Sequence, residues 1–329
     1  MKTLTATFLA QCAVLGVAVF ISTLRAAEPS PAEPVKSTVI YKRDNGLDIK
    51  LDAFYSPAAQ PRPAVVWIHG GGLINGHREQ ISSQVRDFAR ANGFVLVSLD
   101  YRLAPETKLP AILSDLEDAF RWMRSEGAAK FQIDPQRIAV TGGSAGGFMT
   151  LAAGYRVQPP PRVLLAFWGY GDLLGEWASG PSPHPRHNEK KFSDEEAARN
   201  GAGKPVADAR ERQGDGAIVY LHGRQTGSWA RDVSGLDPRT EPEKFMPLLP
   251  LKNVTPKYPP TVLVHGTADT DVPYEQSQLM VREFEKHGVK FELETVQGGE
   301  HGLAGAKPED IAEAYRKAFE FVKRELLKP

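Results

Sequence analysis

The chain has 329 residues, as many basic as acidic side chains, 41% hydrophobic residues, 30 glycines and 26 prolines. A chain of this length buries a full core, and its composition excludes the collagen-like, disordered and disulfide-stapled classes. Zero formal charge, with no basic stripe, gives no general pull toward nucleic acid.

At the amino terminus Lys2 precedes an apolar run from Phe8 to Ile21, broken only by Gln11. The run has the length of a signal-peptide core and falls short of the ~20 residues that span a bilayer. Leu24 and Ala26 stand where a cleavage site wants small or apolar residues, so residues 1–26 predict a signal peptide. An uncleaved amino-terminal anchor is the alternative. Cleavage predicts a secreted or periplasmic protein with no stable membrane insertion. The single cysteine, Cys12, lies in this leader, so the mature chain would have no disulfide, thiol nucleophile or cysteine-ligated metal. Pro29, Pro31 and Pro34 predict a loose tether over residues 27–36.

Residues 37–329 read as one domain of alternating strands and helices. Ser37 to Arg43 and Leu47 to Tyr55 flank the turn pair Asn45-Gly46, a hairpin signal. Short apolar runs follow at Ala64 to Ile68, Phe94 to Leu99, Arg137 to Thr141, Val163 to Phe167 and Thr261 to Val264, as expected of strands buried on both faces. Helical patterns lie between them at Ser82 to Ala91, Leu109 to Ser125 and after Ser144. Further helices are expected over Glu275 to His287 and Pro308 to Leu327, with a strand near Lys290 to Val296. This alternation predicts an α/β fold with a mostly parallel sheet covered on both faces. From Asp172 to about Pro260 the rhythm breaks, over a polar Gly- and Pro-rich stretch far longer than an ordinary connection. We expect an insertion covering the carboxyl ends of the strands, where such folds place their sites.

Three separated motifs point to one chemistry. Gly142-Gly143-Ser144-Ala145-Gly146 follows a strand and opens a helix, which projects a serine hydroxyl from a tight turn. Alone the pattern recurs by chance in roughly one chain in five of this length. His69-Gly70-Gly71-Gly72, directly after Ile68, is far rarer, and its N–H groups suit a developing oxyanion. Phosphate binding does not fit, because no Lys-Ser/Thr follows and Asn75 stands where a dinucleotide loop wants glycine. Asp269 follows the next-to-last strand and His301 the last one. The order Ser144, Asp269, His301 is that of an α/β-hydrolase triad. Asp271 is the rival acid, and Glu300 reads as a solvated neighbour of His301.

The chain resembles esterases of the hormone-sensitive lipase type, through His69-Gly70-Gly71-Gly72 and the run Asp100-Tyr101-Arg102-Leu103-Ala104-Pro105-Glu106. That resemblance implies the α/β-hydrolase fold, with the second run bracing the oxyanion loop. Gly143 departs from it, standing where the family usually carries an acidic residue. Gly142 to Thr150 and His265 to Pro273 are similar to the catalytic domain of prolyl oligopeptidase-type peptidases, which makes an exopeptidase the alternative. The combination also resembles small secreted carbohydrate esterases that remove acetyl or feruloyl groups from plant polysaccharide. The implied roles are Ser144 as nucleophile, His301 as base, Asp269 as its orienting acid, and the amides of Gly71, Gly72 and Ala145 as the oxyanion hole, with no cofactor. The expected partner is a small-molecule or polysaccharide-linked ester.

Around this centre Trp168 and Tyr170 are candidates to wall an acyl or aryl pocket, or to be core. Trp177, Trp229 and Tyr220 offer either a carbohydrate platform or packing inside the insertion. His184 and His187, with Glu189, have a metal-like spacing, but Pro185 between them favours a solvated loop. An exopeptidase would need a charged clamp for a free peptide terminus, for which Glu176 and Arg186 are candidates.

Overall fold

The computed structural model describes residues 34–328. The leader, its cleavage site and most of the tether lie outside these residues. Strand β1 (Val35–Asp44) starts two residues before the expected domain boundary, so Val35 and Lys36 belong to the sheet. It pairs with β2 (Leu47–Tyr55) as an antiparallel hairpin, and Asn45 and Gly46 take φ of 48° and 84° between them. Two successive positive φ values match the right-handed twist of the flanking strands, and Asn-Gly tolerates them.

The remaining strands are β3 (Arg62–Ile68), β4 (Val95–Leu99), β5 (Ile133–Gly143), β6 (Val163–Phe167), β7 (Thr261–Gly266) and β8 (Phe291–Val296). They form one eight-stranded sheet in the order β1-β2-β4-β3-β5-β6-β7-β8. From β4 to β8 all pairings are parallel, and β2 joins β4 antiparallel. The register aligns Ile68 with Gly142, Gly143 with Phe167, Phe167 with Val264, and Gly266 with Val296. These pairs lie at the strands' carboxyl ends or within two residues of them, so every loop carrying a candidate residue leaves the sheet along one edge.

Helices α1 (Ser83–Ala91), α2 (Leu109–Arg124), α3 (Glu126–Phe131) and α4 (Ala145–Arg156) occupy the first half of the chain. The segment between β6 and β7 folds into α5 (Glu176–Ser179), α6 (Pro185–Asn188), α7 (Asp194–Asn200), α8 (Gly216–Thr226), α9 (Trp229–Ser234) and α10 (Pro242–Phe245). Helices α11 (Glu275–His287) and α12 (Pro308–Leu326) complete the fold. Side chains alternate across the sheet, as a period of two requires. Val65 and Trp67 pack with Val85 and Ala89 of α1 and Ala318 and Phe321 of α12. Val66 and Ile68 face the other way, into a cluster with Leu116 and Phe120 of α2, Phe148 of α4 and Phe284 of α11.

The insertion is ordered, and its polar, Gly-rich composition serves turns and caps. Ser193 and Glu196 form a reciprocal capping box on α7, Asp215 caps α8 through the amide of Ala217, and Gly227 ends α8 with φ 75°. Its buried apolar residues, Trp229, Val233 and Phe245 among them, join the cluster on the α2 and α4 face.

Candidate active site

Ser144 sits between β5 and α4 with φ 58° and ψ −121°. A non-glycine residue held there is strained, and strain of this kind persists where surrounding structure over-determines the turn. Gly146 supplies the close approach: a Cβ there would collide with the carbonyl oxygen of Ile68. With no side chain at Gly146, α4 packs directly on the end of β3, which projects Ser144 from the sheet edge. At the position of the family's acidic residue, a Cβ on Gly143 would lie 3.1 Å from Nε1 of Trp168, so the indole would have to shift to admit a larger side chain.

The loop after β3 turns back on itself through Gly71, whose carbonyl accepts from the amides of Ile74 (3.0 Å) and Asn75 (2.8 Å). Gly71 and Gly72 have φ of 103° and 64°, which glycine adopts readily. Their N–H groups donate to no acceptor among the described residues. Ala145 is the first residue of α4, where an N–H has no intrahelical partner. Gly70 lies against the nucleophile: a Cβ on it would be 3.3 Å from Cβ of Ser144.

Four residues of the run Asp100 to Glu106 brace this loop, directly or through an arginine. Arg78 donates to both carboxylate oxygens of Asp100, at 2.7 Å each. The Tyr101 hydroxyl donates to the His69 carbonyl at 3.0 Å, and its ring stacks on the His69 imidazole at 4.3 Å. Ala104 N–H donates to the Leu73 carbonyl at 2.9 Å. Glu106 takes a two-pronged bond from Arg212 of the insertion, at 2.8 and 2.7 Å, with both side chains 1% exposed. Arg212 also donates to the carbonyls of Ile74 and Ala104, tying insertion, run and loop into one unit. Burial draws His69 down to about 4, so its imidazole is neutral above that pH.

At the other end of the sheet edge, His301 Nδ1 lies 2.8 Å from Oδ2 of Asp269. The second oxygen of Asp269 accepts from the amides of Asp271 and Val272, at 2.9 Å each. His265 Nε2 stands 3.3 Å from Oδ2. Burial opposes ionisation of Asp269, but the bonds from His265 and His301 outweigh it and hold the carboxyl at about 2. Asp269, and not its rival Asp271, therefore faces Nδ1. Asp271 lies on the far side of the ring, with Oδ2 3.7 Å from His301 Nε2. Trp168 connects this half to the nucleophile turn, since its ring lies beside Gly143 and edge-on to His301 at 6.4 Å.

Several expectations are corrected here. Glu300 is no solvated neighbour: it accepts from the amides of Thr270 and His301 and pairs with Arg186. His187 is 2% exposed, far from a solvated loop residue, and bonds Ser182 through Nδ1 (2.7 Å) and Asp271 through Nε2 (3.0 Å). Tyr170 is core, its ring stacked on Phe148, whereas Trp168 is half-buried beside the site. Trp229 is buried and donates to the Gly72 carbonyl at 3.0 Å, with Trp177, Tyr170 and Tyr220 edge-on to its ring. Trp229 is thus packing, while Trp177 and Tyr220 are half-buried. Arg224 lies between the Trp177 and Trp229 rings at 5.4 and 5.3 Å, which places a cation on two aromatic faces.

Reasoning from sequence did not associate His187, Tyr220 and Arg224 with the catalytic loops. They come from the insertion and meet Asp271 across separations of 84, 51 and 47 residues, which leave no local signal. A cleft of about 360 Å³ lined by Trp177, Ser182, Arg224, Thr270 and Pro273 borders the Asp269 loop. A larger one, about 650 Å³, lies between Pro105 and the insertion helices, and no candidate catalytic residue lines it.

This arrangement agrees with the family comparison. Residues 65–305 match the alpha/beta hydrolase fold family, and the chain belongs to it. Among solved structures it is similar to esterase 2 of Thermogutta terrifontis (TM-score 0.62, 24% identity, 92% of this chain and 100% of that one). It is also similar to an acetyl ester-xyloside bifunctional hydrolase of Caldicellulosiruptor lactoaceticus (TM-score 0.65, 23% identity, 90% and 98%). A non-reducing polyketide synthase of Penicillium roqueforti is 29% identical over 83% of this chain, which spans only 13% of that relative's length.

Proposed function

We propose that the protein is a serine carboxylic ester hydrolase acting on short-chain or carbohydrate-linked esters, exported by the leader in residues 1–26. The observation that carries the proposal is the Asp269–His301 pair on the same sheet edge as Ser144 and the free amides of Gly71 and Gly72. A serine hydroxyl is a weak nucleophile and needs a base. With Nδ1–H donated to ionised Asp269, His301 keeps a lone pair on Nε2. Nε2 takes the Ser144 proton as the oxygen attacks the ester carbonyl. The tetrahedral oxyanion rests on the amides of Gly71, Gly72 and Ala145, each donor contributing about 3–4 kcal/mol in the transition state. Collapse expels the alcohol, which receives the proton from Nε2, and leaves an acyl-serine. Water repeats the sequence, returning the acid and free Ser144.

The named esterase and acetyl ester hydrolase among the structural neighbours support ester chemistry, and the same esterase is known phosphorylated by paraoxon. The exopeptidase alternative needs a charge to hold a peptide terminus: Arg186 is already paired with Glu300 and Asp271, and Glu176, which lines the cleft beside the Asp269 loop, is the carboxylate such a clamp would use.

The test is hydrolysis of p-nitrophenyl esters from acetate to decanoate by wild type and Ser144→Ala, alongside labelling by a fluorophosphonate. Turnover of the short esters and labelling are expected in the wild type, and both should vanish in the variant. A folded wild type that neither turns over nor becomes labelled would sink the triad assignment. Cleavage of aminoacyl anilides in place of esters would favour the peptidase.

A further inference from the structure

The reaction above uses Asp269 and leaves Asp271 without a role, yet Asp271 is the more elaborately held of the two. Its side chain is 10% exposed, and Oδ1 accepts from the Tyr220 hydroxyl at 2.5 Å and from His187 Nε2 at 3.0 Å. Arg224 donates to its backbone carbonyl at 3.2 Å, and its own amide donates to Asp269. Three of these groups belong to the insertion, so the cap fixes this carboxylate from outside the triad. Oδ2 accepts no hydrogen bond among the described residues. Its neighbours are Arg186 Nη2 at 3.5 Å, itself paired with Glu300, and His301 Nε2 at 3.7 Å.

That position has a chemical meaning. His301 Nε2 returns its proton to the oxygen of the departing alcohol, so an acceptor 3.7 Å from Nε2 lies beside the leaving group. In the ester of a diol or a sugar, the carbon next to the ester oxygen carries a hydroxyl about one hydrogen-bond length away. Nε2, the leaving oxygen, the neighbouring hydroxyl and Oδ2 then close a four-membered circuit. Its three substrate-bearing sides are each about 2.7–3.0 Å. We propose that Asp271 is a specificity-determining residue on the leaving-alcohol side, accepting a hydrogen bond from the hydroxyl vicinal to the ester and so selecting esters of diols, polyols and sugars. The inference rests on the ester-hydrolase reading and deepens it. A largely buried carboxylate is a strong acceptor for such a hydroxyl, and a substrate without that donor leaves Oδ2 with only the 3.5 Å ion pair to Arg186 and no hydrogen bond. Sites built to bond a substrate hydroxyl discriminate sharply on that ground.

The experiment compares 2-hydroxyethyl acetate with 2-methoxyethyl acetate, in which a methyl group replaces the donor hydrogen. Wild type is expected to favour the hydroxy ester in kcat/KM by about tenfold or more. In Asp271→Asn, the donors Tyr220 and His187 orient the amide with its carbonyl toward them. The NH2 group then occupies the place of Oδ2, so a donor replaces the acceptor, and the preference should fall to about one or invert. The ratio cancels any general loss of rate in the variant. Equal kcat/KM for the two esters in wild type, or a preference that survives Asp271→Asn, overturns the inference and leaves the ester-hydrolase reading intact. If that variant fails to fold, Asp271→Ser, which also removes the carboxylate, carries the same comparison, and the preference is again expected to fall. No turnover of either ester by folded wild type overturns both.

Discussion

Gly143 and Trp168 show how one residue's size bears on another's place. A side chain before the nucleophile, such as the acidic residue of the esterases the sequence resembles, would press on the indole of Trp168, which stands 3.1 Å from where a Cβ would be and would have to shift. Introducing the family residue as Gly143→Asp should overpack the turn and displace Trp168 from its place beside His301. The expected result is a stability loss of about 1–3 kcal/mol with a larger loss of kcat. Combining it with Trp168→Ala should recover part of the stability, since two residues in contact do not act additively. Urea unfolding and ester kinetics on the two single variants and the double variant measure the coupling. Strictly additive losses would mean that the two side chains do not compete for one space.

Among the elements, the contact between the insertion and the oxyanion loop matters most, and it turns on Arg212 and Glu106. Neither is accessible to water, and their bidentate bond closes over the carbonyls of Ile74 and Ala104. Arg212→Ala leaves a buried carboxylate without a partner, which costs about 3–5 kcal/mol. Replacing both by apolar residues, Arg212→Met with Glu106→Leu, should cost less than Arg212→Ala alone, because no unpaired charge remains. Denaturant unfolding of both variants tests this. A double variant as unstable as the single would show that the carbonyl bonds of Arg212, and not its ion pair, hold the insertion down.

For the molecule as a whole, stability against pH is set by two buried groups close together in the oxyanion assembly that act in opposite directions. Burial lowers His69 to about 4, below its unfolded value of about 6.5. The unfolded chain therefore binds the extra proton first, and stability from this group is lost as pH falls from about 6.5 to 4. Burial raises Asp100 to about 6 against the pull of Arg78, from an unfolded value of about 3.9. Here the folded chain binds the proton first, and stability is gained as pH falls from about 6 to 4. Each contribution is about 3 kcal/mol and they nearly cancel, so wild type should change little across that window. His69→Asn should become more stable as pH falls from 6.5 to 4, and Asp100→Asn less stable. Below about 4 the depressed carboxylates dominate, Asp269 at about 2 among them, and stability should drop. Urea titrations at several pH values read the slopes directly, and parallel slopes in the two variants would contradict the assignment.

Much of this was legible in the order of residues, because its signals are local. Strands declared themselves as short apolar runs, the hairpin by Asn45-Gly46, and the sheet edge by motifs placed just after Ile68, Gly143, Gly266 and Val296. A turn, a cap or a buried strand is decided within a few neighbouring residues, so its chemistry is written there. The burial of Trp229 and Tyr170 and the capture of Asp271 by His187 and Tyr220 were decided only by the path of the chain. The contacts of Tyr220 and His187 with Asp271 join groups 51 and 84 residues apart, and a polar Gly- and Pro-rich insertion gives no sign of which side chains it will deliver. Local sequence thus determined which residues are candidates for the chemistry, while tertiary structure decided what surrounds them, since burial and partner exist only once distant segments have packed.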